Sequence, residues 1–169
     1  MKSFFVAIEA ALAGGAILRS YYGRELSVNY KGALDLVTQA DTKSESVILE
    51  ILRKRLPSVS ILAEESGRTD RDTKRRFIVD PLDGTTNFAH TYPMFAVSIA
   101  YEEDGRVCAG VVYDPLRDEL FTAQKGKGAY LNGLRMKVSQ TTQLEKSLLV
   151  TGFPYDLRED LEGNLRLFT

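Results

Sequence analysis

The sequence predicts an α+β fold in which helices pack on a twisted, mainly antiparallel sheet. Two stretches near the start, Phe4 to Leu18 and Val47 to Leu56, space their apolar residues as helices do. From Phe95 onward, short β-favouring runs alternate with Asp, Asn and Gly turn signals and read as an antiparallel meander. A last helical pattern near Asp156 to Phe168 completes a layer of helices on a sheet.

The 169 residues suffice for one domain, and 44% hydrophobic with 27% charged residues is ordinary for a globular chain. With 22 basic and 23 acidic side chains the net charge is −1, so no overall field draws in nucleic acid or an anionic membrane. Neither is expected as a partner. The single cysteine, Cys108, lies in an apolar run and reads as a small core residue; a cytoplasmic location is expected. Ala11-Leu12-Ala13 mimics a signal-peptidase site, but Glu9 sits inside the apolar stretch and Lys2 is the only early basic side chain. A buried first helix, with Phe5, Ile8, Leu12 and Leu18 to Tyr22 inward, is the better reading. No stretch is expected to span a membrane.

Gly23 to Leu34 reads as turn-like, and Leu36 to Ala40 as a short extended approach to Asp41. Thr42-Lys43-Ser44-Glu45 has capping-box spacing, which starts the second helix just after Asp41, and Pro57 ends it. Val59 to Ala63 is a strand ending at Glu64-Glu65 and Gly67, followed by a charged excursion over Arg68 to Arg76. Phe77-Ile78-Val79 delivers Asp80 to a strand end, where Pro81 blocks continuation. Asp83 follows in a turn permitted by Gly84, and Thr85, Thr86 and Asn87 are of the types that cap a helix. Phe95 to Tyr101, Val107 to Tyr113, Leu120 to Ala123 and Ala129 to Leu131 are the later strands. Their turns lie at Asp104-Gly105, Asp114-Pro115, Gly126 to Gly128 and Asn132-Gly133. The Lys125-Gly126-Lys127-Gly128 run lacks P-loop spacing and is a turn with exposed lysines; His90, the lone histidine, reads as structural.

Two close carboxylates beside a helix start suit a hard cation and a phosphate, since oxygen ligands take Mg²⁺ and helix N-termini take anions. If Asp41, Glu64, Asp80 and Asp83 converge, each like-charge pair about 4 Å apart costs about 4 kcal/mol at an effective dielectric near 20. Bound cations or raised carboxyl pKa values must relieve such a cluster. The absence of clustered Cys and His ligands favours Mg²⁺ over Zn²⁺.

Asp80-Pro81-Leu82-Asp83-Gly84-Thr85-Thr86-Asn87-Phe88, with His90, Pro93 and Val97-Ser98-Ile99, resembles the central signature of the inositol monophosphatase family of Mg²⁺-dependent, lithium-sensitive phosphatases. Leu36-Val37-Thr38 with Asp41, Ala63-Glu64-Glu65-Ser66-Gly67, and Lys125 to Tyr130 with Asn132-Gly133 resemble other family segments in the same order. The resemblance implies the layered sugar-phosphatase fold, with residues 1–169 forming its N-terminal α+β portion and the C-terminal α/β half absent. It implies hydrolysis of myo-inositol monophosphates by a metal-activated water, with Mg²⁺ as cofactor and a homodimer as the assembly. Glu64, Asp80 and the Leu82 carbonyl would bind the first ion, and Asp80 would bridge to a second held by Asp83. Asp41 and Thr85, with Glu64, would be the catalytic residues acting on water, and the Gly84 and Thr85 N–H groups would bind phosphate. Lys31, Glu65 and Thr86 are further candidates. The family's Trp-Asp motif, which completes the second ion site, lies in the missing half, and this chain has no tryptophan. Two alternatives stand beside this reading. One keeps the chemistry and changes the substrate to fructose 1,6-bisphosphate, a nucleotide 3′-phosphate or another sugar phosphate. The other is a non-catalytic regulatory or interaction module, or an inactive fragment.

Overall fold

The computed structural model describes residues 2–24, 28–30, 36–152, 162–163 and 166. Helix α1 (Lys2–Tyr21) leads into a two-stranded antiparallel ribbon of β1 (Val28–Tyr30) and β2 (Leu36–Thr38). Part of the segment read as turn-like is thus a strand. Helix α2 (Gln39–Arg55) precedes β3 (Ser60–Ala63), β4 (Gly67–Thr69) and β5 (Arg75–Asp83). A one-turn helix α3 (Thr85–Ala89) then leads to β6 (Ala96–Glu103), β7 (Arg106–Asp114), β8 (Glu119–Gln124), β9 (Gly128–Leu131) and β10 (Leu134–Arg135). The main sheet has eight strands in the order β10-β9-β8-β7-β6-β5-β3-β4, antiparallel except for the β3–β5 pair. Residues 162–163 and 166 are helical, and the rest of the expected last helix lies outside the described residues, as does Lys31.

The meander forms because its strands alternate and its turns are chemically apt. Asp104-Gly105 (φ 50° and 72°) and Asn132-Gly133 (φ 48° and 79°) both occupy the left-handed region that two-residue hairpin loops require. Phe77, Val79, Val97, Ile99, Tyr101, Ala109, Val111 and Tyr113 point to one face of the sheet and are buried beneath α1 and α2. Leu62, Ile78, Ser98 and Ala100 line a cavity of about 360 Å³ on the other face.

Helix α1 packs through its small residues, contrary to the expected face. Phe5 and Leu12 are exposed, while Phe4, Ala7, Ala11, Gly14, Gly15 and Leu18 are buried. The reason is close approach. A Cβ on Gly14 would stand 2.7 Å from Ile48 of α2, and one on Gly15 would stand 2.5 Å from the Tyr113 ring. By length and composition alone α1 could cross a membrane, with mean hydropathy 1.4. Half of that stretch is buried inside the fold.

Candidate active site

Helix α2 starts one turn earlier than its sequence suggests, and this sets the site. Thr38 is the N-cap and Asp41 the third helical residue, so the capping box is Thr38–Asp41 rather than Thr42–Glu45. Asp41 therefore lies inside the first turn. Its Oδ2 accepts from the Thr38 N–H at 2.8 Å and the Thr38 hydroxyl at 2.5 Å, while Oδ1 accepts from the Thr85 hydroxyl at 3.0 Å. Only 2% of Asp41 is exposed.

The next residues on the same helical face reach two more segments. Ser44 donates its hydroxyl to the Pro81 carbonyl at 2.9 Å. The Glu45 carboxylate accepts from the Glu65 N–H at 2.9 Å and the Ser66 N–H at 3.0 Å. Both side chains are buried. Sequence reasoning missed them as site supports, although a signal existed. Asp41, Ser44 and Glu45 continue, toward the N-terminus, the stripe that Ile48 and Leu52 place in the core.

Strand β5 does not end at Asp80. It runs through Pro81 to Asp83, with a register shift because Asp80 pairs with Ser98 and Asp83 with Ala96. Three steps on β5 oppose two on β6, so this is a bulge, and Pro81 occurs where a missing N–H costs the ladder least. Both Pro81 and Leu82 are buried. Asp80 is left half-buried on the sheet face lined by Glu64, while Asp83 is exposed beside Gly84.

Gly84, not a threonine, precedes α3. Its φ of 93° is left-handed, and a Cβ there would stand 3.0 Å from the Met94 carbonyl. Thr85 is the first helical residue and makes no cap; its hydroxyl lies 3.0 Å from both Asp41 Oδ1 and the Leu82 carbonyl. One hydrogen faces two acceptors. Thr86 is exposed, and His90 is exposed at the end of α3. The N–H groups of this first turn have no partner within the helix.

Glu64 and Asp80 share a hydrogen bond between their carboxyl groups, and burial, the Glu64 charge and that bond, with a smaller push from Asp83, raise Asp80 from 3.8 to about 7. The Leu82 N–H, 3.1 Å from Asp80 Oδ1, works the other way. Asp80 thus takes up a proton in the neutral range. The structure places Asp80 under the influence of Glu64 and Asp83, and joins Asp41 to Thr85 instead. Among the described residues no three His, Cys, Asp or Glu side chains form a ready ion-binding group. The donors at hand are nevertheless all oxygen: three carboxylates and the Leu82 carbonyl, which faces the Thr85 hydroxyl. Such a set fits a hard divalent cation, which would favour the ionised form of Asp80. Cys108, half-buried in β7, and His90 are not part of it.

Comparison with known proteins bears on this arrangement. The profile of the inositol monophosphatase family matches residues 2–168. An inositol-1-monophosphatase from Synechocystis is 49% identical over 161 residues, covering 94% of this chain and 56% of the relative. The Nus factor SuhB of Pasteurella multocida is 44% identical, over 89% of this chain and 57% of its own length. The crystal structure of extragenic suppressor protein suhB from Bartonella henselae superposes with a TM-score of 0.92 at 44% identity, covering 99% of this chain and 64% of that one. The chain spans a little over half the length of the curated relatives it matches, and their α+β layered fold is its fold. With a family profile over nearly every residue and close relatives on both measures, this chain belongs to the inositol monophosphatase family.

Proposed function

We propose that these residues form the ion- and phosphate-binding part of a Mg²⁺-dependent phosphomonoesterase that hydrolyses myo-inositol monophosphates to inositol and phosphate. The observation that carries this reading is the pairing of two differently treated acids around one peptide. On one side of Leu82, Asp80 stands against Glu64 with its pKa raised to about 7; on the other, Thr85 is hydrogen-bonded to buried Asp41. Mg²⁺ held by Glu64, Asp80, Asp83 and the Leu82 carbonyl would acidify a water and offset charge on the phosphoryl oxygens. The chain's own groups do the rest. The Thr85 hydroxyl, whose hydrogen faces Asp41 Oδ1 and the Leu82 carbonyl, would accept a proton from the attacking water and pass its own to Asp41. Asp41 is the final proton acceptor of that pair. The Gly84 and Thr85 N–H groups hold phosphoryl oxygens, and phosphate leaves without a covalent enzyme intermediate.

A homodimer, a cytoplasmic location, sensitivity to lithium and the absence of nucleic-acid or membrane partners belong to the same proposal. Fructose 1,6-bisphosphate and nucleotide 3′-phosphates are alternative substrates for the same residues. A second reading, an interaction module, is favoured by one specific finding: relatives 43–44% identical carry the name Nus factor.

The test is phosphate release from myo-inositol 1-phosphate by the 169-residue chain, with and without Mg²⁺, beside Asp80→Asn. Mg²⁺-dependent release that disappears in the variant is expected if these residues suffice. Release undiminished by Asp80→Asn would overturn the assignment. A chain that binds Mg²⁺ yet releases nothing would favour the interaction module or an enzyme that needs residues beyond these.

A further inference from the structure

Glu45 is an unusual residue to find sealed into a helix–sheet interface. It is 4% exposed, lies in the second turn of α2 and so gains little from the helix start. A buried carboxylate is costly unless its oxygens are satisfied. Here each oxygen takes one backbone N–H, from consecutive residues some twenty positions away. Those donors belong to Glu65 and Ser66, immediately after Glu64. The Glu64 N–H itself donates to the Val79 carbonyl at 3.1 Å. Three successive amides are therefore tied down, the first to β5 and the next two to α2, while the Glu64 side chain is left exposed.

We propose that Glu45 is a positioning residue for the ion site: its carboxylate clamps the Glu65 and Ser66 backbone and so fixes where the Glu64 carboxylate stands relative to Asp80. The inference rests on the Mg²⁺ reading above. A buried acid that is merely satisfied in the core would serve any loop. This one grips the turn that carries Glu64, from the same helical face that fixes Pro81 through Ser44 and Thr85 through Asp41. One rigid helix thereby sets three segments in register with one another. Glutamine fits the space but presents an NH₂ group to one of the two N–H donors, so it keeps one bond and turns the other into donor against donor.

The test is Glu45→Gln in the full 169-residue chain, read by calorimetric titration with Mg²⁺ and by amide hydrogen exchange. In the wild type the Glu65 and Ser66 amides should exchange slowly. In the variant they should exchange at least about tenfold faster, and Mg²⁺ affinity should fall about tenfold, as when a group that orients a metal ligand is lost. The Thr38 amide, held by Asp41, should keep its protection and so report an intact fold. Unchanged Mg²⁺ affinity in a folded variant would overturn the proposal. Glu45→Asp keeps the charge but shortens the reach; the clamp predicts weakened Mg²⁺ binding there too, whereas full affinity would mean that only the charge matters and would also overturn it. Should Glu45→Gln lose Thr38 protection, Glu45→Asp decides alone. A wild type that takes no Mg²⁺ while its Glu65 and Ser66 amides stay protected would defeat the functional reading rather than the clamp, and unprotected amides would defeat the clamp.

Discussion

The two sides of the site treat carboxylates in opposite ways. On the helix side, Asp41 and Glu45 are buried, and every oxygen of both accepts a hydrogen bond from the chain. On the sheet side, Glu64 and Asp83 are exposed, and both raise the cost of ionising half-buried Asp80. Burial penalises charge and is the largest cause of the rise at Asp80, so what matters is how each carboxylate is compensated. The difference lies in the donors. Asp41 and Glu45 have been given N–H and O–H groups, so their side of the site is complete in itself. Asp80 has a single backbone donor and an acidic neighbour, so its side is complete only with a proton or a cation. The finished side holds the unfinished one in place.

The helix side should therefore break hard. Asp41→Ala would leave the Thr38 N–H, the Thr38 hydroxyl and the Thr85 hydroxyl without their acceptor in a buried setting. Each unsatisfied buried donor costs about 1–3 kcal/mol, and hydroxyls that rotate to other acceptors recover part of it; a net loss of roughly 2–4 kcal/mol follows. For a chain of this size that is on the order of 5–15 °C in Tm. Chemical denaturation without added metal measures it. A loss below about 1 kcal/mol would show that the hydrogen bonds are not what holds the helix start.

The sheet side should respond with the opposite sign. The folded pKa of Asp80, about 7, lies above its unfolded value of 3.8, so the folded state binds the extra proton between those limits. Stability from this group is full below the lower value, falls as pH rises through the window, and is lost above about pH 7. In chelator the wild type should lose stability from about pH 4 to 7, by about 1–2 kcal/mol once the full shift is discounted for solvent screening at a half-exposed site. Asp80→Asn should flatten that part of the profile and be the more stable protein at pH 8. Added Mg²⁺ should raise the wild-type Tm at pH 8 and leave the variant almost unmoved. A variant less stable than wild type at pH 8 in chelator would mean that the surroundings of Asp80 favour its charge rather than penalise it.

This asymmetry explains what could be read from the sequence. The meander was legible because alternation and two-residue turns such as Asp104-Gly105 are local signals. The acidic sheet side was legible because Asp80 and Asp83 flank a proline and sit near a Gly-Thr-Thr run. The start of α2 was not, because Thr38–Asp41 and Thr42–Glu45 both have capping spacing. The choice between them depends on Glu45 being drawn to Glu65 and Ser66, a contact twenty residues distant. Likewise, no local rule shows that β5 survives Pro81 as a bulge, since that depends on β6 supplying Ser98 and Ala96 as partners. The inward face of α1 was misread for a related reason. Size suggested Phe5 and Leu12, but Gly14 and Gly15 allow a closer approach to Ile48 and Tyr113 than large side chains could.

Ser44 offers the smallest effect and the finest test, because three terms compete there. Its hydroxyl satisfies the buried Pro81 carbonyl, a bond of about 1 kcal/mol. Alanine regains a few tenths of a kcal/mol in helix propensity. It also gives up the packing of Ser44 Oγ against Gly14 of α1, where an added Cβ would stand only 2.9 Å away. Ser44→Ala should thus destabilise by only about 0.5 kcal/mol, measurable as a shift in denaturation midpoint with an unchanged slope. Ser44→Thr separates the terms, since it keeps the hydroxyl and adds a methyl group beside Gly14. If threonine is the worse of the two, packing against α1 dominates at this position. If alanine is worse, the bond to Pro81 does, and the helix side holds the bulge between Asp80 and Asp83 by hydrogen bonding as well as by shape. A stabilising Ser44→Ala would remove Ser44 from that role and leave Asp41 and Glu45 as the two polar attachments of the helix to the site.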